Sequence, residues 1–364
     1  MSKVLGQKYA SKIAGRYNSA LSNANVVAFN NSSLRFETQS KISRRTGWDL
    51  ILRRNEWFQN HAVDWLENYL KPDHTVFSYS YAAKEIFEVA KKFGCRTVLG
   101  QIDPGIGEEN TVAAEVARFP DLDTGFERAP KEYWEDWMIE CELADVIMVN
   151  SNWSRDMLVK EGIPAGKIEI IPLVYQPECK PSELQECERV YPSEFSADRP
   201  LELLYLGQVI PRKGIQYVVS AAEELASLPV KFTVVGNPGP WQAKLEECKN
   251  IEVVGSVPRN EVQDYYQKAD LFLFPTLSDG FGLTQLEAQH WKLPLICSKN
   301  CGSVVEHEVN GLILDEVNTR NVVAAVKRFL QNPELLQTFG KASCSSQFSI
   351  SDLANRLDSF VPSL

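Results

Sequence analysis

Histidine is scarce in this chain. There are four in 364 residues, His61, His74, His290 and His307, and no two stand at a metal-ligand spacing. The eight cysteines are scattered without a CxxC pair. That argues against a zinc site or a disulfide framework and for reduced thiols in a cytoplasmic protein. No run of 18 apolar residues occurs, so no transmembrane helix is expected. The first residues lack the apolar core of a signal peptide. There is no internal repeat and no low-complexity tract. What remains is an ordinary globular composition, 44% hydrophobic and 24% charged, with enough length for two domains that each bury a core.

Charge is unevenly spread. The net charge is −10, yet residues 1–60 carry ten Lys or Arg and only three acids, a local excess of +7 that leaves −17 for the rest. A basic first segment on an acidic protein suggests an anionic partner for that segment, a lipid surface or a lipid-phosphate acceptor. Nucleic acid is not expected, because the remainder would repel it.

Strand and helix patterns alternate along the chain. Strands are expected at 75–79, 96–101, 145–149 and 167–172, with helices at 81–93 and 131–143. Gly94 stands at a C-cap position, and Ser151 is a candidate N-cap for a helix after 150. The alternation restarts with 201–206, 214–227, 230–235, 251–254, 259–267 and 270–274. Such alternation implies parallel sheets. Between the two series, residues 176–200 hold four prolines and six acids with little apolar periodicity, which reads as a linker. Ile350, Leu353, Leu357 and Phe360 mark a final helix. Leu5, Tyr9, Ile13, Tyr17 and Leu21 form an i,i+4 stripe that suits either a core-facing or an interfacial helix.

The most informative stretch is Phe274-Pro-Thr-Leu-Ser-Asp-Gly-Phe-Gly-Leu-Thr-Gln-Leu-Glu-Ala288. A short apolar strand ends at Pro275, a Gly-Phe-Gly turn follows, and a helix is expected from Leu283. A helix N-terminus there offers unpaired N–H groups and a positive dipole end to an anion. Gly280 and Gly282 let the backbone approach a ligand closely. Asp279 and Glu287 can accept hydrogen bonds from vicinal hydroxyls, which sugars supply in pairs. A nucleotide diphosphate-sugar fits this description.

The residues also resemble a family. Asp279, seven residues, then Glu287 is similar to the acid-x7-acid signature of retaining glycosyltransferases of family 4, the glycosyl transferases group 1. Leu203-Leu-Tyr-Leu-Gly-Gln-Val-Ile-Pro-Arg-Lys-Gly214 resembles the family's strand, basic loop and Lys-Gly. Leu293–Ser298, Gly302-Ser-Val-Val-Glu306 and Val309–Leu314 resemble the segments around and after the signature. The resemblance implies an α/β GT-B fold, two doubly wound Rossmann-like domains with a cleft between them. The expected boundaries are 1–178 for an acceptor-side domain shortened or diverged at its start, 179–200 for the linker, 201–345 for the nucleotide-sugar domain and 346–364 for a helix returning to the first domain.

By resemblance, Gly207, Arg212, Lys213, Asp279, Gly280, Phe281, Gly282, Leu283 and Glu287 would bind the donor. Lys213 and Arg212 would neutralise the diphosphate, Asp279 would hold sugar hydroxyls and Glu287 the ribose. Lys213, Asp279 and Asp103 are the candidate catalytic residues. Asp103 has two readings, an acid that orients the acceptor or a cap of its loop. Phe281 and His290 read as packing residues. Gly302 and Ser303 could offer backbone N–H groups to phosphate, and Glu306 could brace that turn. No metal and no cofactor are expected. The implied partners are a UDP- or GDP-sugar donor and a carbohydrate or lipid-linked acceptor. The implied location is the cytoplasm, with a peripheral position on a membrane as the companion expectation.

Asp279 is a shortened variant of the usual Glu. Three departures from the family pattern keep rivals open: Gln208 stands for an Arg after the Gly, Ile102 for a His before Asp103, and the first domain reads as shortened at its start. The rivals are another GT-B activity, such as epimerisation or hydrolysis, and a nucleotide-sugar-binding protein without transferase activity.

The basic segment generates the first prediction. Trp48, Trp57 and Phe58 are interleaved with Arg44, Arg45, Arg53 and Arg54, and each cation near an anionic bilayer contributes about 1 kcal/mol, screened by salt. The protein should co-sediment with anionic vesicles at low salt and be released at high salt. Equal recovery with neutral vesicles, or none with either, overturns the membrane expectation.

Overall fold

A computed structural model describes residues 24–119, 125–176, 189–344 and 346–360. The apolar stripe at 5–21 therefore lies outside the described residues. The chain divides into two compact units after Arg54. In the first, α1 (Asn30–Ile42) and the start of α2 (Gly47–Leu66) are joined by an ion pair of Arg54 with Glu37 at 3.0 Å, and Arg53 pairs with Asp49 within α2 at 2.8 Å.

The second unit holds two parallel sheets. The first sheet has the order β1-β2-β3-β4, from Thr75–Tyr79, Arg96–Gln101, Val146–Val149 and Ile168–Ile170. Helices α3 (Lys84–Lys92), α4 (Ile106–Val116), α5 (Lys131–Leu143) and α6 (Asn152–Lys160) connect these strands. Their core is built on Phe87, Leu99, Trp137, Ile147 and Leu158. The four described strands run in chain order, so they carry a single direction of winding.

Side chains fix where these helices begin. Ser151 accepts a hydrogen bond from Ser154 N at 3.1 Å, so it is the N-cap of α6. Helix α3 starts at Lys84 rather than 81. The buried Glu140 carboxylate accepts from the backbone N–H of Tyr81 and of Ala83, each at 2.7 Å, and holds 81–83 as a turn. Tyr81 is kept at φ 77°, a left-handed conformation uncommon for a bulky residue. Burial pushes the Glu140 carboxyl up to about 7, against the pull of those N–H groups.

A parallel sheet is ordinarily covered on both faces. Here the described residues leave one face of β1 uncovered, with Phe77 48% and Tyr79 63% exposed. These two line a largely apolar cavity of about 880 Å³ together with Ile102, Leu283 and, from α13 (Ile350–Phe360), Leu353 and Leu357.

The second sheet has the order β10-β9-β8-β5-β6-β7. Its strands are β5 (Leu201–Leu206), β6 (Val230–Val235), β7 (Ile251–Gly255), β8 (Leu271–Phe274), β9 (Leu295–Ser298) and β10 (Gly311–Leu314). Helices α7 (Ile215–Glu224), α8 (Gln242–Glu247), α9 (Val262–Lys268), α10 (Leu283–His290), α11 (Thr319–Gln331) and α12 (Glu334–Ala342) complete it. The chain winds outward from β5 both ways, which makes this sheet doubly wound and puts a topological switch point between β5 and β8.

The described half of the expected linker is not free. Phe195 is buried in the second core. Arg189 donates to the carbonyls of Trp291 at 2.8 Å and Tyr266 at 2.6 Å. Arg199 forms a two-pronged pair with the buried Asp270, at 2.7 and 2.6 Å. Residues 189–200 thus dock on the second sheet domain, because three side chains anchor a stretch whose prolines and acids alone suggest a tether.

Glu140→Ala should destabilise the first sheet domain by about 2–4 kcal/mol, since two N–H groups lose a charged acceptor. Urea unfolding followed by tryptophan fluorescence checks it. A midpoint within error of wild type contradicts the capping role.

Candidate active site at the switch point

Loops leaving the carboxyl ends of β5 and β8 meet at the switch point, where open α/β sheets bind their ligands. The β5 loop runs from Gly207 through a 3-10 turn, Pro211–Lys213, into α7. It is stitched to the β8 loop by backbone: Leu277 N donates to Arg212 O at 2.8 Å, and Thr276 Oγ1 to the same carbonyl at 3.1 Å. Gly214 opens α7 at φ 77°, and a Cβ there would collide with the Pro275 carbonyl. The Lys-Gly pair is thus a packing demand as well as a charge.

Lys213 and Arg212 point to the same crevice. Lys213 Nζ pairs with Asp279 Oδ2 and lies 5.4 Å from the Phe274 ring centroid. Burial lowers the Lys213 pKa, and the Asp279 carboxylate opposes that shift. Arg212 donates to Ser278 O at 3.1 Å and to Gln208 Oε1 at 3.2 Å. Its Nε also lies 3.5 Å from Glu108 Oε1 of the first sheet domain.

The first domain closes on these loops from α4 and α6. Gly280 packs on the β2–α4 turn so tightly that a Cβ would collide with the Ile102 carbonyl. Trp153 donates to Ser278 Oγ at 3.0 Å. Further along α4, the buried Glu115 accepts from Tyr217 OH at 2.5 Å and Gln216 Nε2 at 3.2 Å, both on α7. Asp103 sits in the same turn. One of its oxygens accepts from Tyr81 OH, Gln101 Nε2 and Gly105 N, so it does cap its loop. Burial raises its pKa, and the Tyr81 hydrogen bond and Arg212 hold the rise back.

Not every expected residue joins this cluster. Glu287 faces a cavity of about 660 Å³ lined also by Arg259, Gln263, Thr284 and Trp291, and accepts from Tyr266 OH at 2.8 Å. Leu283 is exposed toward the apolar cavity beside β1. Phe281 is buried, its ring edge-on to Phe348 at 5.7 Å, and packs rather than faces the crevice. His290 is also buried between the Tyr175 and Trp291 rings, and burial lowers its pKa. Gly302 donates to Phe281 O at 2.8 Å, while the Glu306 side chain stands exposed. Among the described residues no three His, Cys, Asp or Glu side chains converge to hold a metal ion.

Glu108, Ser278, Tyr266 and Tyr81 were not legible as site residues. Glu108 lies in the first turn of a helix, where an acid is ordinary, and its partner is a hundred residues away.

Residues 190–345 match the sequence pattern of the glycosyl transferases group 1. This segment belongs to that family. An α-D-kanosaminyltransferase of Streptomyces kanamyceticus is 22% identical over 251 residues, 64% of either chain. An amylovoran biosynthesis glycosyltransferase of Erwinia amylovora is 24% identical over 206 residues, 51% of this chain and 48% of that one. The chain spans less than two thirds of these relatives. Among solved structures, sucrose-phosphate synthase of Thermosynechococcus elongatus superposes with a TM-score of 0.67 at 19% identity, over 87% of this chain and 79% of that one. Anabaena HepE in complex with UDP superposes with a TM-score of 0.61 at 14% identity, over 84% and 82%. The fold is GT-B, and no described helix is long and apolar enough to cross a membrane.

Gly280→Ala should cost about 1–3 kcal/mol through overpacking against the Ile102 carbonyl, and the melting temperature should fall accordingly. An unchanged melting curve contradicts the close approach of these two turns.

Proposed function

We propose that the protein is a glycosyltransferase that moves a sugar from a nucleotide diphosphate-sugar to an acceptor hydroxyl, with retention and without a metal, in glycoconjugate synthesis. The observation that carries this reading is the convergence at the switch point of Lys213, paired with Asp279, and Arg212, which donates to the neighbouring Ser278 carbonyl. The cations suit the diphosphate, and the α10 N-terminus, with the backbone of Gly280–Leu283, suits its outer oxygens. As the sugar–phosphate bond breaks, charge builds on the leaving phosphate, and fixed cations in a half-buried crevice stabilise it.

Asp279 is then placed for sugar hydroxyls. Glu287 with Tyr266 suits the ribose in its adjoining cavity. The acceptor enters from the side of the first sheet domain, where Asp103 caps a turn that touches the donor loop. The acceptor oxygen bonds to the anomeric carbon on the face that the phosphate leaves, and its proton passes to the departing phosphate oxygen. Positioning and leaving-group stabilisation supply most of the rate in such a reaction. UDP-sugars are the first donors to try, since the Anabaena protein is described with UDP and with UDP-glucose.

A thermal-shift panel of UDP- and GDP-sugars identifies the donor, because a ligand of the folded state raises its stability. With that donor, Lys213→Ala should lose about 2–4 kcal/mol in kcat/KM. Asp279→Asn should mainly lower kcat, and Glu287→Gln should mainly raise the donor KM. Turnover should survive a chelator. Near-wild-type turnover of Lys213→Ala sinks the site assignment. Donor binding without transfer to any acceptor supports the binding-protein rival, and loss with chelator restored by magnesium or manganese contradicts the metal-free chemistry.

A further inference from the structure

Glu108 is a cleft carboxylate that the reading above leaves without a task. It stands in the first turn of α4 with its side chain only 15% exposed, 3.5 Å from Arg212 Nε through Oε1. Its other oxygen, Oε2, is buried and takes no hydrogen bond from any described residue. Every element packed around it presents a charged or polar group. The β5–α7 turn brings Arg212 and Lys213, the β8–α10 turn brings Ser278 and Asp279, and the β2–α4 turn brings Asp103. Beyond these, α6 contributes Trp153, bound to Ser278. Three carboxyls thus share one crevice with two cations.

Arg212 is the charged group that compensates Glu108 here, with the neutral Ser278 hydroxyl as a lesser partner. A diphosphate that enters and takes Arg212 as its own counter-ion leaves Glu108 buried beside new negative charge. A buried carboxylate without a counter-ion is costly, and it avoids that cost by binding a proton.

We propose that Glu108 is the resident counter-ion of Arg212 and gates the donor site, so that a nucleotide diphosphate-sugar displaces it and binds together with one proton taken up by Glu108. The proposal rests on the donor reading of the switch point. It assigns Glu108 a gating part through Arg212 and no contact with the reacting atoms.

The direction of the pH effect follows. Burial already pushes the free Glu108 carboxyl up to about 7, with Arg212 and the Ser278 hydroxyl opposing the rise and Asp103 and Asp279 adding to it. Displacement from Arg212 raises it further. Below that value Glu108 is protonated before and after binding, and affinity is level. Above it the complex holds one proton more than the free protein, so affinity falls by up to about tenfold per pH unit until the raised value in the complex is reached.

The test is calorimetric titration of UDP-glucose and of GDP-mannose into the full chain at pH 6 and pH 8, in PIPES and in Tris. The diphosphate diesters of these sugars do not titrate near neutrality, and the buffers differ in ionisation enthalpy, so the difference in heat counts protons. Wild type should take up close to one proton at pH 8 and bind more weakly there than at pH 6. Glu108→Gln should take up none, bind up to about tenfold more tightly than wild type at pH 8, and match it at pH 6. Glu108→Ala gives a second reading should the Gln variant melt early. Proton uptake that persists in both variants overturns the proposal and moves the proton to Asp103 or Asp279. Binding without uptake in wild type overturns it while leaving the donor site intact. Binding of neither sugar overturns the donor reading for both sugar classes and this proposal with it.

Discussion

The chain winds outward from β5 in both directions, and the candidate site depends on that reversal. Two strands whose following helices lie on opposite faces cannot have their loops filled by one another, so a crevice opens between β5 and β8. The sequence lines its rim with a basic 3-10 turn on one side and a Gly-rich helix start on the other, groups of a kind that suits an anion. The hydrogen bonds from Thr276 and Leu277 to Arg212 O tie these two loops into one body. Without that stitch the cations and the helix N-terminus would move separately, and neither alone would be a site.

Charge burial then dictates the rest. Lys213, Arg212, Asp279, Glu108 and Asp103 are all withdrawn from water to a considerable degree, and an uncompensated ion there would be strongly unfavourable. The protein compensates within itself. Lys213 takes Asp279, Arg212 takes Glu108, and Asp103 collects donors from Tyr81, Gln101 and Gly105. A ligand carrying a diphosphate therefore exchanges with internal carboxylates rather than with bulk water. Such an exchange favours a dianion that can replace both partners and disfavours a monoanion that replaces only one.

Legibility followed the range of the interactions. Strands β1, β2, β5 and β6 coincide with the expected spans, because a short apolar run between turn residues is a local signal. The Gly-Phe-Gly turn and the Lys-Gly pair were equally visible, since each motif is contiguous. What failed to show was side-chain commitment across the chain. Glu140 delays α3 from a distance of more than fifty residues, Glu108 and Glu115 bind across the cleft, and Arg189, Phe195 and Arg199 turn half of an expected linker into domain surface. Prolines and acids describe a tether only when nothing anchors them. The face of β1 that the described residues leave uncovered was not legible either, for alternation within one strand does not say which face another element will cover.

Gln208 gains a meaning from this setting. Where the family pattern commonly has a second arginine after the glycine, this chain has a neutral amide whose oxygen accepts from Arg212. A second guanidinium would have lacked a carboxylate of its own, since Asp279 is taken by Lys213 and Glu108 by Arg212. The amide instead helps to fix the one guanidinium present, together with Ser278 O. Orientation replaces charge: the loop presents a single arginine held from three sides, by Gln208, Ser278 and Glu108. Of these three holds only Glu108 carries a charge, so it is the one that a diphosphate contests electrostatically, while the two neutral bonds can persist as the guanidinium changes partner.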